Sequence, residues 1–190
     1  MSLERRTAMA TLVAGRGDLL IVPGLGSTAW DLAAAGDDPR NFYLWGAMGG
    51  AAMVGLGLAL AQASRRVAVI TGDGEMLMGL GSLATIGAKR PGNLAVIVFD
   101  NGVYGETGMQ PSHTQHGVDL VGIARACGFA DCADVRDEAA LAALAAKLKT
   151  FTAPLFARVA IAADEPPRVL PERDGVALKN RFRAALGLKA

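Results

Sequence analysis

Residues 69–78, VITGDGEMLM, place one carboxylate, Asp73, between Gly72 and Gly74, where an apolar strand-like run gives way to an apolar helix-like run. Asn101 follows 28 positions later in VIVFDNGVYGETG, preceded by Asp100, at the end of a second apolar run. A carboxylate and an amide oxygen are hard ligands, suited to Mg²⁺ or Ca²⁺. The glycines let the backbone turn sharply and approach a ligand closely. A helix that starts there can offer its N–H groups to a phosphate. One helix plus one strand fits between the two motifs, so they become neighbours at the mouth of two strands. Together they read as a site for a metal-bridged diphosphate. Gly-Asp-Gly alone would read as a helix start with Asp73 near the N-cap; the paired Asp-Asn favours the ligand.

The elements that must position these residues follow from periodicity. Residues 18–23, 66–71, 94–99 and 154–161 are β-branched and apolar on both faces, as covered parallel strands are. Helical patterns alternate with them over 27–35, 49–64, 75–89, 118–128 and 137–150. The third of these sets Met76, Leu80, Leu83 and Gly87 on one face. The fold class is therefore α/β, with an open, mainly parallel sheet and helices on both faces. In such sheets ligands bind beyond the carboxyl ends of the strands, which is where Asp73 and Asn101 fall. The expected organisation is one α/β domain over 1–163. An arm with three prolines and a short basic helix (176–188) follow over 164–190 and pack on the same domain. The basic helix, with Lys179, Arg181 and Arg183, reads as a solvated face or a subunit contact.

Composition excludes several classes. The chain has 190 residues, 52% hydrophobic and 19% charged, with a net charge of +1, so nothing favours a nucleic-acid partner or an acidic surface. The apolar run from Ala47 to Ala61 is glycine-broken and short for a membrane span, and reads as a buried helix. The first residues lack the apolar core of a signal peptide, and a cytoplasmic location is expected. Cys127 and Cys132 match no metal or redox spacing and read as inert buried thiols.

The Gly-Asp-Gly…Asp-Asn pair resembles the signature of thiamine diphosphate enzymes, in their diphosphate-binding domain, where Gly-Asp-Gly precedes Asn by under thirty residues. Asp100 stands where Asn is usual; the family's ligand is the second position. The resemblance implies thiamine diphosphate and Mg²⁺ as cofactors, with Asp73 and Asn101 as side-chain ligands and Val103 as a carbonyl ligand. It extends to NFYLWGAMGGAAMVGLGLALA, where Gly46 would offer its carbonyl to the aminopyrimidine and Met48 would hold the cofactor bent. A core role for Met48 is the plainer alternative. In GLGST, Ser27 and then Thr28 would face the diphosphate, with the backbone of Gly72, Gly74, Glu75, Gly105 and Glu106 close by. Glu75 departs from the small residue common there, and its side chain is expected to turn away from phosphate.

Full-length members of the family carry a second α/β domain whose glutamate protonates the pyrimidine. Only one such unit is visible here, so the resemblance implies a separate pyrimidine-domain subunit, and a homo-oligomer of this chain is expected in isolation. Within the family, the stretch from 81 to 114 is most similar to sulfopyruvate and phosphonopyruvate decarboxylases, which act on small anionic 2-oxo acids. Those relatives often place His where this chain has Gly50. His113, with Gln110, could meet the substrate, or His113 and His116 could be surface histidines of a mobile loop. Glu106 could be structural or lie near the reaction centre. The implied function is thus a subunit of a 2-oxo acid decarboxylase. The alternatives are a subunit of a 2-oxo acid oxidoreductase or acetolactate synthase-like enzyme, or a non-catalytic cofactor-binding protein. Oxidoreductase relatives usually bring iron–sulfur clusters, which two cysteines cannot hold.

Overall fold

The computed structural model describes residues 2–189. In chain order the elements are α1 (Arg5–Val13), β1 (Leu20–Pro23), α2 (Ser27–Ala34), α3 (Ala51–Ala61), β2 (Val67–Gly72), α4 (Asp73–Met78), α5 (Gly81–Lys89) and β3 (Leu94–Asp100). After these come β4 (Val103–Tyr104), β5 (Gln110–Pro111), a 3₁₀ turn (His113–His116), α6 (Leu120–Ala126), β6 (Asp131–Val135), α7 (Glu138–Lys147), β7 (Leu155–Ala160) and α8 (Gly175–Ala185). Five strands form a parallel sheet in the order β1-β2-β3-β7-β6. The α/β fold with helices on both faces is the one the alternating pattern predicts.

Strands β1, β2 and β3 are buried almost throughout because each face meets a helical layer. On one side Ile21, Ile70 and Ile97 pack with Met9, Leu32 and Leu144 from α1, α2 and α7. On the other, Val22, Val69 and Val96 pack with Leu56, Met76, Leu83 and Ala124 from α3 to α6. Helix α3 lies so close to β2 that a Cβ at Gly55 would sit 2.1 Å from Val69 Cγ2. Gly55→Ala is therefore expected to cost about 1–3 kcal/mol by overpacking. Denaturant unfolding would show it, and Val69→Ala in the same chain should recover part of the loss.

Three sequence expectations need correction. The helix expected over 75–89 is two helices, α4 and α5, separated at Gly79–Leu80. Gly79 abuts the main chain of Gly49, with its hypothetical Cβ 2.1 Å from Gly49 O, so this approach is open only to glycine. The run from 47 to 61 is not a wholly buried helix. It is helical only from Ala51, and Met53, Val54 and Leu60 are exposed. Its all-round apolarity reflects one face on the sheet and a second, uncovered face. Finally, α1, β6 and the short β4–β5 hairpin carry no strong periodic signal. Edge strand β6, DCADV, is short and half polar, and it pairs only with β7. The segment between β7 and α8 is irregular, in keeping with its prolines. Phe182 and Leu178 dock α8 on the body, Phe182 meets Phe42 in a tilted ring pair, and Arg181 pairs with Asp37 at 2.5 Å.

Candidate metal and diphosphate site

The loops after β1, β2 and β3 meet at the carboxyl end of the sheet around a cleft of about 410 Å³. Asp73, Gly72 and Gly74 line it from the β2–α4 junction, and Asn101, Val103, Gly105 and Glu106 line it from the loop after β3. Ser27 and Thr28 complete the far wall from the start of α2. The side-by-side register of β2 and β3, with Gly72 opposite Phe99, brings the two motifs together.

Asp73 is 2% exposed. Its Oδ2 accepts a short hydrogen bond from Ser112 Oγ and lies 3.4 Å from Thr114 Oγ1. Burial pushes its carboxyl up to about 6; the Ser112 hydroxyl opposes this and the neighbouring Asp100 carboxylate adds to it. Asp100 is fully engaged. Its Oδ1 accepts from Gly102 N–H at 2.9 Å and Thr114 Oγ1 at 2.8 Å, and its Oδ2 accepts from Arg158 Nε at 2.5 Å. Arg158 reaches on to Asp134 at 3.0 Å. Asp100 is thus a charge-paired anchor for the loop, which explains an acid where an amide is usual. Asn101 Oδ1 accepts from Val103 N–H at 3.0 Å, an Asx turn that sets the course of the loop.

The donor set suits a hard cation held partly by ligands other than side-chain acids. Among the described residues no three His, Cys, Asp or Glu form a metal-binding group. One carboxylate, one amide oxygen and a main-chain carbonyl would leave positions for phosphate oxygens and water, as Mg²⁺ prefers. The N-termini of α2, α3, α4 and α5 have no side-chain cap, and of these α2 and α4 open on the cleft; α1, α6, α7 and α8 are capped by Glu4, Asp119, Asp137 and Asp174. Thr28 Oγ1 is buried without a partner in the same wall. Uncapped helix N-termini and an orphaned hydroxyl around one cleft fit a diphosphate.

Glu75 lines the cleft, but its side chain turns toward the β1–α2 loop. Glu106 is exposed, and its carboxylate lies against Gly26, where a Cβ would come within 2.8 Å. Met48 also lines the cleft and is 48% exposed, so it is not a core residue. Gly46 and His113 are not among the lining residues. His113 is exposed, and its Nδ1 is 2.8 Å from Tyr104 Oη. The Tyr104 ring in turn covers Gly74, where a Cβ would lie 2.7 Å from the ring. Gln110 is exposed and exchanges hydrogen bonds with Thr107. Sequence reasoning missed Ser112, Thr114 and Arg158; their only signal is a Ser-x-Thr pair in PSHT and a lone arginine in an apolar strand.

A family model, the C-terminal TPP binding domain of thiamine pyrophosphate enzymes, matches residues 25–159. The chain belongs to the thiamine pyrophosphate enzyme family. It is similar to the sulfopyruvate decarboxylase subunit beta of Methanothermobacter thermautotrophicus, 43% identical over 68% of this chain and 69% of that one. It is also similar to the phosphonopyruvate decarboxylase of Streptomyces viridochromogenes, 48% identical over 59% of this chain but only 28% of that protein. The chain thus spans little more than a quarter of this second relative. Among solved structures, a putative thiamin diphosphate-dependent enzyme from Mycobacterium smegmatis matches with a TM-score of 0.73 and 22% identity, over 85% of this chain and 32% of that one. The residues matched by this thiamine pyrophosphate family model include most of those that line the cleft at the ends of β1, β2 and β3. No helix among its described residues is long and apolar enough to cross a membrane.

Proposed function

We propose that this chain is the thiamine diphosphate- and Mg²⁺-binding subunit of a decarboxylase for a small anionic 2-oxo acid, of the sulfopyruvate or phosphonopyruvate type. The observation that carries the reading is the convergence of Asp73, Asn101 and two uncapped helix N-termini on one cleft. The decarboxylase names of the two relatives supply the reaction class. Asp73, Asn101 and the Val103 carbonyl would hold the metal. Ser27, Thr28 and the amides at the starts of α2 and α4 would hold the diphosphate. When bound, thiamine diphosphate supplies the electron sink for loss of CO₂ from a 2-oxo acid. The chain's own residues bind, orient and shield: the Tyr104 ring covers Gly74, and Met48 offers an apolar support inside the cleft.

A second subunit belongs to the reading. One relative is named as a β subunit. Met53 and Val54 in the first turn of α3, with Met48 just before it and Met78 against Gly49, leave apolar side chains uncovered at the cleft end of the sheet. Exposed apolar patches of this kind mark interfaces, and a pyrimidine-binding chain seated there would complete the site.

Both tryptophans, Trp30 and Trp45, line the cleft. Titrating thiamine diphosphate with and without Mg²⁺ should therefore quench intrinsic fluorescence, and only the Mg²⁺ series should saturate at low concentration. No change in either series, with the companion subunit present, would sink the reading. Met48→Ala sharpens it. Because Met48 is half exposed, its truncation should leave the melting temperature within about 1–2 °C, since surface changes lie within ±0.5 kcal/mol. Turnover of the assembled enzyme should fall at least about tenfold, as expected when reacting groups lose their alignment. A melting shift large enough to explain the lost activity would return Met48 to a packing role.

A further inference from the structure

We propose that Glu75 is a positioning residue, whose carboxylate latches the Gly24–Leu25–Gly26 turn and so sets Ser27 and Thr28 toward the cleft before ligand arrives. The mechanism above gives Glu75 no part, yet it is 5% exposed in the wall of the cleft. Its Oε2 accepts from Leu25 N–H at 2.9 Å and from Thr71 Oγ1 at 2.8 Å. Its Oε1 is buried without a partner, so the carboxylate is held at one oxygen only. Thr71, the penultimate residue of β2, is 1% exposed and lies four positions before Glu75, which fixes the carboxylate from the strand side.

The turn needs such a hold. Leu25 sits between two glycines, the residues with most backbone freedom to lose. Gly26 adopts φ +66°, and it immediately precedes α2. A main-chain bond from Gly24 N–H to Ile70 O, 2.8 Å, ties the start of the turn to β2. The Glu75 bond ties its middle. Gly24 is shaped to admit the latch, since a Cβ there would lie 1.9 Å from Glu75 Oε2 and 2.8 Å from Thr71 Oγ1. The same arrangement keeps a carboxylate next to a diphosphate site without aiming it at phosphate, because Oε2 already has two donors. The latch thus joins the β2–α4 turn that carries Asp73 to the loop that carries Ser27 and Thr28.

The consequence for cofactor affinity rests on the proposed function; the latch itself does not. The test uses the full chain in five forms: wild type, Glu75→Ala, Glu75→Gln, Gly24→Ala and the double variant Gly24→Ala/Glu75→Ala. Amide hydrogen exchange should rise about tenfold or more over residues 24–28 in Glu75→Ala, the scale of losing a hydrogen bond to a charged group. Exchange in β2 and β3 should not change. Glu75→Gln should stay near wild type, because its amide oxygen can take the Oε2 position. Gly24→Ala should mimic Glu75→Ala by expelling the carboxylate, and the double variant should be no worse than either. Thiamine diphosphate affinity in saturating Mg²⁺ with the companion subunit should weaken about tenfold in Glu75→Ala and return in Glu75→Gln. Unchanged exchange in Glu75→Ala, a Gln variant as loose as Ala, or an additive double variant would each overturn the latch. If wild type binds no cofactor while the exchange pattern holds, the functional reading fails and the latch stands.

Discussion

Replacing Asp73 by alanine is expected to weaken Mg²⁺-dependent binding of thiamine diphosphate by more than about a hundredfold, because it removes the anionic ligand itself, where even outer partners of a metal site are worth 10–100-fold. The fold should survive, since the sheet and both helical layers do not depend on that carboxylate. Asp73→Asn should show the opposite effects on metal and on stability. The buried carboxyl of Asp73 is pushed from 3.8 up to about 6 in the metal-free chain, first by burial. A folded-state value above the unfolded one means that the proton is held more tightly when folded. The resulting stability is present at low pH and is lost as pH rises from about 4 through about 6. Above pH 7 the ionised carboxylate is therefore a liability on the order of 2–3 kcal/mol, which a bound cation would relieve. Asp73→Asn can still accept from Ser112 and carries no charge. At pH 7.5 without metal it should melt higher than wild type, while calorimetry finds no Mg²⁺-linked cofactor binding. Wild-type Mg²⁺ affinity should fall as pH drops below about 6, where a proton competes for the site. A variant that binds metal normally would remove Asp73 from the metal site, and a metal-free wild type whose stability does not decline over that pH interval would show that the fold does not hold the Asp73 proton more tightly than the unfolded chain does.

Adding a pyrimidine-domain companion to this chain, at fixed thiamine diphosphate and Mg²⁺, should switch on decarboxylation from background and raise cofactor affinity together. Both effects need the same assembled cleft. The uncovered apolar side chains of α3 beside Met78 and Met48 are the expected seat of the companion. Met53→Glu and Val54→Lys should therefore block association, measured by sedimentation, while leaving the isolated chain folded. Isolated chain that decarboxylates 2-oxo acids at full rate would contradict the split arrangement. Within the chain, Glu75 is already engaged by Leu25 and Thr71, which leaves the exposed Glu106 as the carboxylate to test for an activating role.

Much of the molecule was legible in one dimension. Strands β1, β2, β3 and β7 appear as apolar β-branched runs because parallel strands are covered on both faces, and that requirement acts residue by residue. Gly-Asp-Gly and Asp-Asn could be placed at one mouth because helix and strand lengths set where the chain returns. The helix break at Gly79 was hidden, since it arises from a contact with Gly49 that local periodicity does not encode. Edge strand β6 was hidden because it has one neighbour and so needs fewer apolar residues.

Fold class, strands β1, β2, β3 and β7 and the placing of Gly-Asp-Gly and Asp-Asn at one mouth rest on local pattern and chain reach, and so can be read along the chain. What surrounds these turns is set by contacts between distant segments. Ser112 reaches Asp73 across 39 positions, and Arg158 reaches Asp100 across 58. Glu75 holds a backbone amide 50 positions away, and His113 is occupied with Tyr104 instead of lining the cleft. The physical reason is that hydrogen bonds and ion pairs depend on where side chains meet in space, and no spacing along the chain specifies which distant donor arrives at a given carboxylate.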